Sequence, residues 1–172
     1  MRETRFAATA LALLLGLIWA PVAHSQAALA PASYRPGESL PVWRLEPVEL
    51  SGLTEPTQRV IQDPVEFSAL WARIYSYTHS LVPVPPVDFA REIVVVVGLG
   101  KKATTGYSLH IVNAVYGYPG TVVRVMVSLE EPGQNCAVSP LVSSPVAILR
   151  MNKPPVPVVF ETYTHRLGCP SP

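Results

Sequence analysis

Arg91-Glu92-Ile93-Val94-Val95-Val96-Val97-Gly98 decides the fold. A charged pair opens the stretch, every position from Ile93 to Val97 is β-branched, and glycine closes it. An uninterrupted β-branched run is the pattern of a strand buried on both faces, because neither side of the pleat has water to meet. This strand is expected in the middle of a sheet.

Downstream the pattern changes from continuous to alternating. Tyr107, Leu109 and Ile111 alternate with Ser108 and His110, and Val123, Val125, Val127 and Leu129 alternate again after Gly117-Tyr118-Pro119-Gly120. Period-2 patterning on either side of a turn predicts a hairpin or meander with one buried face. Pro132-Gly133 turns the chain into a loop holding Cys136, and strands are expected near Val146 to Met151 and Val156 to Tyr163. His165 falls beyond them, in what reads as a C-terminal tail.

Upstream, Leu81-Val82-Pro83-Val84-Pro85-Pro86-Val87 must be extended, since each proline fixes its own φ and bars its predecessor from the α region. Before it, Asp63-Pro64-Val65-Glu66 combines a capping acid, a proline in the first turn and a second acid three residues on. Phe67, Leu70, Trp71, Ile74 and Thr78 then recur at steps of three and four, so a helix ending near His79 should lay an aromatic stripe on the sheet. A short strand is expected at Thr57 to Gln62 and another at Val42 to Leu50, the latter interrupted or held at an edge by Pro47. The fold class is therefore α+β, mostly antiparallel with about seven strands, and one amphipathic helix packed on the sheet.

The N-terminus reads as an export signal. Met1 to Arg5 is basic, Phe6 to Val22 is apolar, and small residues around Ala23 to Ala27 suit cleavage after Ser25 or Ala27. The division expected is a signal peptide at 1–25, a flexible lead-in at 26–41 and one domain at 42–172. After cleavage the protein should be periplasmic or secreted, free of the membrane. Cys136 and Cys169 are the only cysteines, and a pair in an exported chain is expected to form a disulfide.

Composition excludes several functions. With 49% apolar and 15% charged residues the chain has ample material for a core. A net charge of +1 gives no field to recruit nucleic acid. Gly98 to Gly106 has glycines and two lysines but lacks the spacing of a phosphate loop and leads into a strand. The histidines beyond the signal are His79, His110 and His165, and the aspartates are Asp63 and Asp88, with no serine in a nucleophile-elbow motif. Glu130-Glu131 and Glu46/Glu49 read as solvated acids at strand ends rather than a glycosidase pair. No catalytic residue, cofactor or metal site is assigned.

The ordered set Trp71, Asp88, Phe89, Gly100, Lys101, Gly106, Tyr107, Ser108, Pro132 and Pro145 resembles the PrcB C-terminal domain family over roughly Thr57 to Phe160. Thr105 stands where that family often has glycine. The resemblance implies an exported, non-catalytic accessory protein that binds and stabilises or modulates a secreted protease or another exported protein. The alternative is a small extracytoplasmic hydrolase with an unrecognised site. The turn carrying Lys101, Lys102, Thr104, Thr105 and Tyr107 is the expected partner-binding surface, read as a mobile basic turn between two strands.

Overall fold

Residues 35–45, 47–78 and 81–169 are described by the structure, a computed structural model. The expected signal peptide with its cleavage positions, the lead-in as far as residue 34, Glu46 and the helix end at His79 lie outside them. The elements are β1 (Val42–Arg44), β2 (Pro56–Ile61), α1 (Pro64–Ile74), β3 (Glu92–Leu99), β4 (Ser108–Tyr116), β5 (Val123–Pro132), β6 (Val146–Asn152) and β7 (Val158–Leu167). They form the expected α+β class, with two mostly antiparallel sheets and one helix.

The valine strand β3 lies between β6 and β2 in a sheet ordered β1-β6-β3-β2. Its alternate side chains supply two cores. Ile93, Val95 and Val97 point to the second sheet, ordered β4-β5-β7, and pack with Leu109, Ile111, Val125 and Val127. Val94 and Val96 point the other way, to Phe67, Leu70, Trp71 and Ile74 of α1. Helix, sheet and sheet thus stack as layers, and its unbroken apolar run lets β3 serve both interfaces.

α1 begins as the sequence predicts, with Asp63 Oδ1 accepting the Glu66 N–H at 2.8 Å and Pro64 in the first turn. It stops earlier than expected, at Ile74. Tyr75 leaves helical geometry and the Ile74 carbonyl is capped by the Gly52 N–H at 3.1 Å, so Thr78 is exposed rather than part of the stripe. The proline connector covers the helix flank, with Val82, Val87 and Phe89 in that core and the Trp71 indole N–H donating to Val82 O at 3.1 Å.

As expected, the stretch from Val42 lies at a sheet edge and is interrupted around Pro47: β1 has three residues, and beyond Pro47 Val48 and Leu50 make isolated bridges to Val146 and Ser144. Two other expectations are revised. Gly37 to Leu40, read as part of a flexible lead-in, pairs with the end of β4 through Gly37 N–H to Tyr116 O at 2.7 Å and Leu40 N–H to Ala114 O at 2.8 Å, and Leu40 is buried. The last strand is longer than expected and runs parallel to β5 from Val123↔Val158 to Pro132↔Leu167, so His165 lies on a strand. Its direction follows from the connection at Lys153 to Pro157, which carries the chain from β6 in one sheet into β7 in the other.

The two sides of the sheet pair are closed differently. On one side the segment from Gly37 to Arg44 straps the sheets together: its first half bonds β4, β1 pairs with β6, and the Arg44 guanidinium donates to the carbonyls of Ile111 (2.9 Å) and Val112 at a bulge in β4. On the opposite side β2 and β7 are the outermost strands of their sheets. Among the described residues the hydrogen bond spanning that side is one between side chains, Gln58 Nε2 to Thr162 Oγ1 at 3.3 Å.

Candidate functional site

The turn after β3 crosses from one sheet to the other, since β3 and β4 belong to different sheets. It joins two strands, as expected, and these belong to different sheets rather than to one. It is bonded along most of its length. Lys101 N–H donates to Thr54 O at 3.0 Å, and Lys102 and Ser143 exchange backbone bonds at 2.8 and 3.1 Å. Ser143 Oγ donates to Thr104 O at 2.7 Å, Thr105 N–H to Ser139 O at 3.1 Å, and Ser139 N–H to Thr105 Oγ1 at 3.2 Å. Gly100 (φ 67°) and Gly106 (φ 92°) take the left-handed conformations the crossing needs, and a Cβ on Gly100 would stand 2.7 Å from the Glu55 carbonyl carbon.

Of the expected contact residues, Lys101 is exposed while Lys102, Thr104, Thr105 and Tyr107 are half-buried. The two threonines are engaged by the 139–143 loop. Lys102 and Tyr107 meet each other, the ammonium lying 5.2 Å from the ring centroid, a cation–π arrangement that holds the lysine over the end of the sheets.

Lys102 also lines a hollow of about 430 Å³ that opens between β2 and β7. Its walls include Thr57, Gln58 and Thr162, and its floor is apolar: Val97, Leu99, Leu109, Val127 and Leu129. A second hollow of about 240 Å³ involves the same two strands, with Val60 and Gln62 on one side, Val158 on the other and Lys153 at the margin. Sequence reasoning missed this seam. Pro56 at the start of β2 was the available signal, because proline is tolerated where a strand forms the edge of a sheet.

The groups considered for catalysis are placed as follows. Asp63 caps α1, and Asp88 accepts the Ala90 N–H at 3.1 Å in a local turn. Ser108 Oγ and His110 Nε2 are 2.7 Å apart, two residues along β4. His110 is exposed, its side chain makes no other hydrogen bond among the described residues, and no carboxylate orients its ring. Glu130 pairs with Ser108 on one side and His165 on the other, so the strand register brings a hydroxyl, an acid and an imidazole onto one sheet face. Glu131 follows on β5 and Glu49 is exposed. Among the described residues no group of three or more His, Cys, Asp or Glu side chains is placed to hold a metal ion, and no helix is long and apolar enough to cross a membrane. Cys136 and Cys169 lie at disulfide distance, with Cα atoms 5.1 Å apart.

The PrcB C-terminal family model matches residues 93–152. The match spans β3 to β6 and contains Gly100, Lys101, Gly106, Tyr107, Ser108, Pro132 and Pro145; Trp71, Asp88 and Phe89 lie before it. No curated protein and no solved structure matches the chain.

Proposed function

Because residues 93–152 match the PrcB C-terminal family, we propose that the protein is an exported, non-catalytic accessory subunit that binds a secreted protease or another exported protein and stabilises or modulates it. The family match carries this reading. It is supported by a scaffold whose buried residues are spent on packing two sheets and a helix, and by a cysteine pair suited to an oxidising compartment. Among the described residues its surface offers exposed contact residues, and His110 is hydrogen-bonded to Ser108 alone. Capture from the producing cell's periplasm or medium by crosslinking to the full chain should recover a defined exported protein. Removing the accessory should shorten that protein's lifetime or change its activity. Recovery of no exported protein, together with an unchanged exported proteome on deletion, would refute the reading.

One observation favours a hydrolytic alternative, the 2.7 Å approach of Ser108 Oγ to His110 Nε2. A working pair also needs a group hydrogen-bonded to the histidine to orient it and donors for an oxyanion; Glu130 shares the sheet face, but among the described residues His110 is hydrogen-bonded to Ser108 alone. Ser108→Ala is accordingly expected to leave every effect on the partner intact.

A further inference from the structure

We propose that the open seam between β2 and β7 is a strand-accepting groove: it takes one extended segment of the partner polypeptide, with apolar side chains on the groove floor and carboxylates toward Lys102 and Lys153. The proposal deepens the accessory reading and rests on it for the existence of a partner.

Three features of the seam select this occupant. Both rims are outer strands, so each offers backbone donors and acceptors that its own sheet leaves unpaired, and an added strand satisfies such edges. The floor between them is apolar and continuous with the core shared by the sheets: Val97, Leu109 and Val127 are buried, while Leu99 and Leu129 are half-buried at its mouth. Side chains alternating along a strand would place every second residue against it. Among the described residues the charge is of one sign, with Lys102 lining the first hollow, Lys153 the second, and no carboxylate lining either. An apolar segment flanked by acids matches that distribution. Gln58 and Thr162 join the rims by one neutral hydrogen bond, which an entering strand can replace.

An acyl chain with a carboxylate head would also satisfy the floor and Lys102, but it would leave the strand edges unpaired. The test separates the two. Twelve-residue random peptides displayed on phage are selected against the full chain, and the selected peptides are synthesised and titrated into wild type, Thr162→Trp and Lys102→Glu; dodecanoate is titrated in parallel. Selected peptides are expected to alternate apolar residues, to carry an acid, and to bind each variant about tenfold more weakly than wild type, a difference of about 1.4 kcal/mol. They are also expected to slow hydrogen exchange of the amides from Thr57 to Ile61. Thr162 is exposed, so its variant is expected to melt with the wild type, and Lys102→Glu gives an independent readout should it not. Peptides that bind both variants as tightly as wild type, exchange protection away from β2 and β7, no binder at all, or a groove occupied by dodecanoate and refused by peptides would each overturn the proposal. If the crosslinked partner binds wild type and both variants alike, the seam proposal falls and the accessory reading stands; if peptides bind the seam and no partner exists, the reverse holds.

Discussion

Trp71 shows how a single side chain can be read as structural rather than functional. It is buried, its ring lies 5.5 Å from that of Phe67 and 4.6 Å from that of Tyr75, and its N–H is satisfied by Val82 O. Truncating it opens a cavity between helix and sheet and also frees the proline connector. Trp71→Ala should therefore cost about 3–5 kcal/mol, measured as a loss in urea unfolding free energy. A variant that unfolds like wild type but loses its partner would place Trp71 in an interface instead. Tyr163 makes the opposite point, because it is exposed and its chemistry is set by its neighbour. Its hydroxyl donates to Glu161 Oε1, and this bond, then desolvation and the Glu161 charge, raise the phenol above its ordinary value while Arg124 pulls it down. The folded state favours the neutral phenol, so this contribution to stability is full below the ordinary phenol value and is lost as pH rises through the raised folded one. With seven tyrosines in the chain, ring-carbon NMR is the suitable readout. Glu161→Gln is expected to lower the Tyr163 titration midpoint, and an unmoved midpoint would remove Glu161 as the cause.

Elements differ in how much of their fate is local. α1 was legible because its signals are neighbours in sequence: a capping aspartate, a proline and an apolar stripe. β3 was legible because burial on two faces leaves an unbroken β-branched run. β7 was only partly legible. A strand was expected near Val156 to Tyr163, but the residues from Thr164 to Leu167 are exposed and become strand through pairing with β5, a partner about 35 positions earlier that no local pattern names. The cysteines sit where that end needs a tether. Cys136 follows the Pro132-Gly133 turn and Cys169 follows β7, so a bridge would fasten the last parallel pairs. Intact mass under non-reducing conditions should show the bridged form. For a sequence separation of 33, loop entropy assigns the bridge about 3–4 kcal/mol. Reduction should lower stability accordingly and speed amide exchange from Thr164 to Leu167 first. Both thiols found free in protein taken from an oxidising compartment would defeat the pairing.

At the scale of residues 35–169, the strap on one side and the seam on the other could not be read from any window of sequence, because the seam joins Gln58 to Thr162, a separation of 104 positions. The turn after β3 was visible through its glycines and lysines, but its bonds to the 139–143 loop and the groove under Lys102 come from the sheet pairing. That placement sharpens its expected role. A net charge of +1 creates no long-range field, so any electrostatic steering must come from local groups. Lys101 is exposed beside Lys102, which is held over Tyr107 at the groove. Turn lysines could instead only solvate a crossing shaped by Gly100 and Gly106, and kinetics separate the two roles. Steering acts on association and is screened over about 10 Å at 0.1 M salt, whereas solvation affects neither rate of binding. The double variant Lys101→Ala, Lys102→Ala should fold with wild-type melting behaviour and associate with the captured partner several-fold more slowly at low salt, with a flatter dependence on ionic strength. Stopped-flow association measured across salt concentrations reads this directly. An unchanged rate and salt slope would leave the turn as a connector, with the partner steered by some other part of the surface.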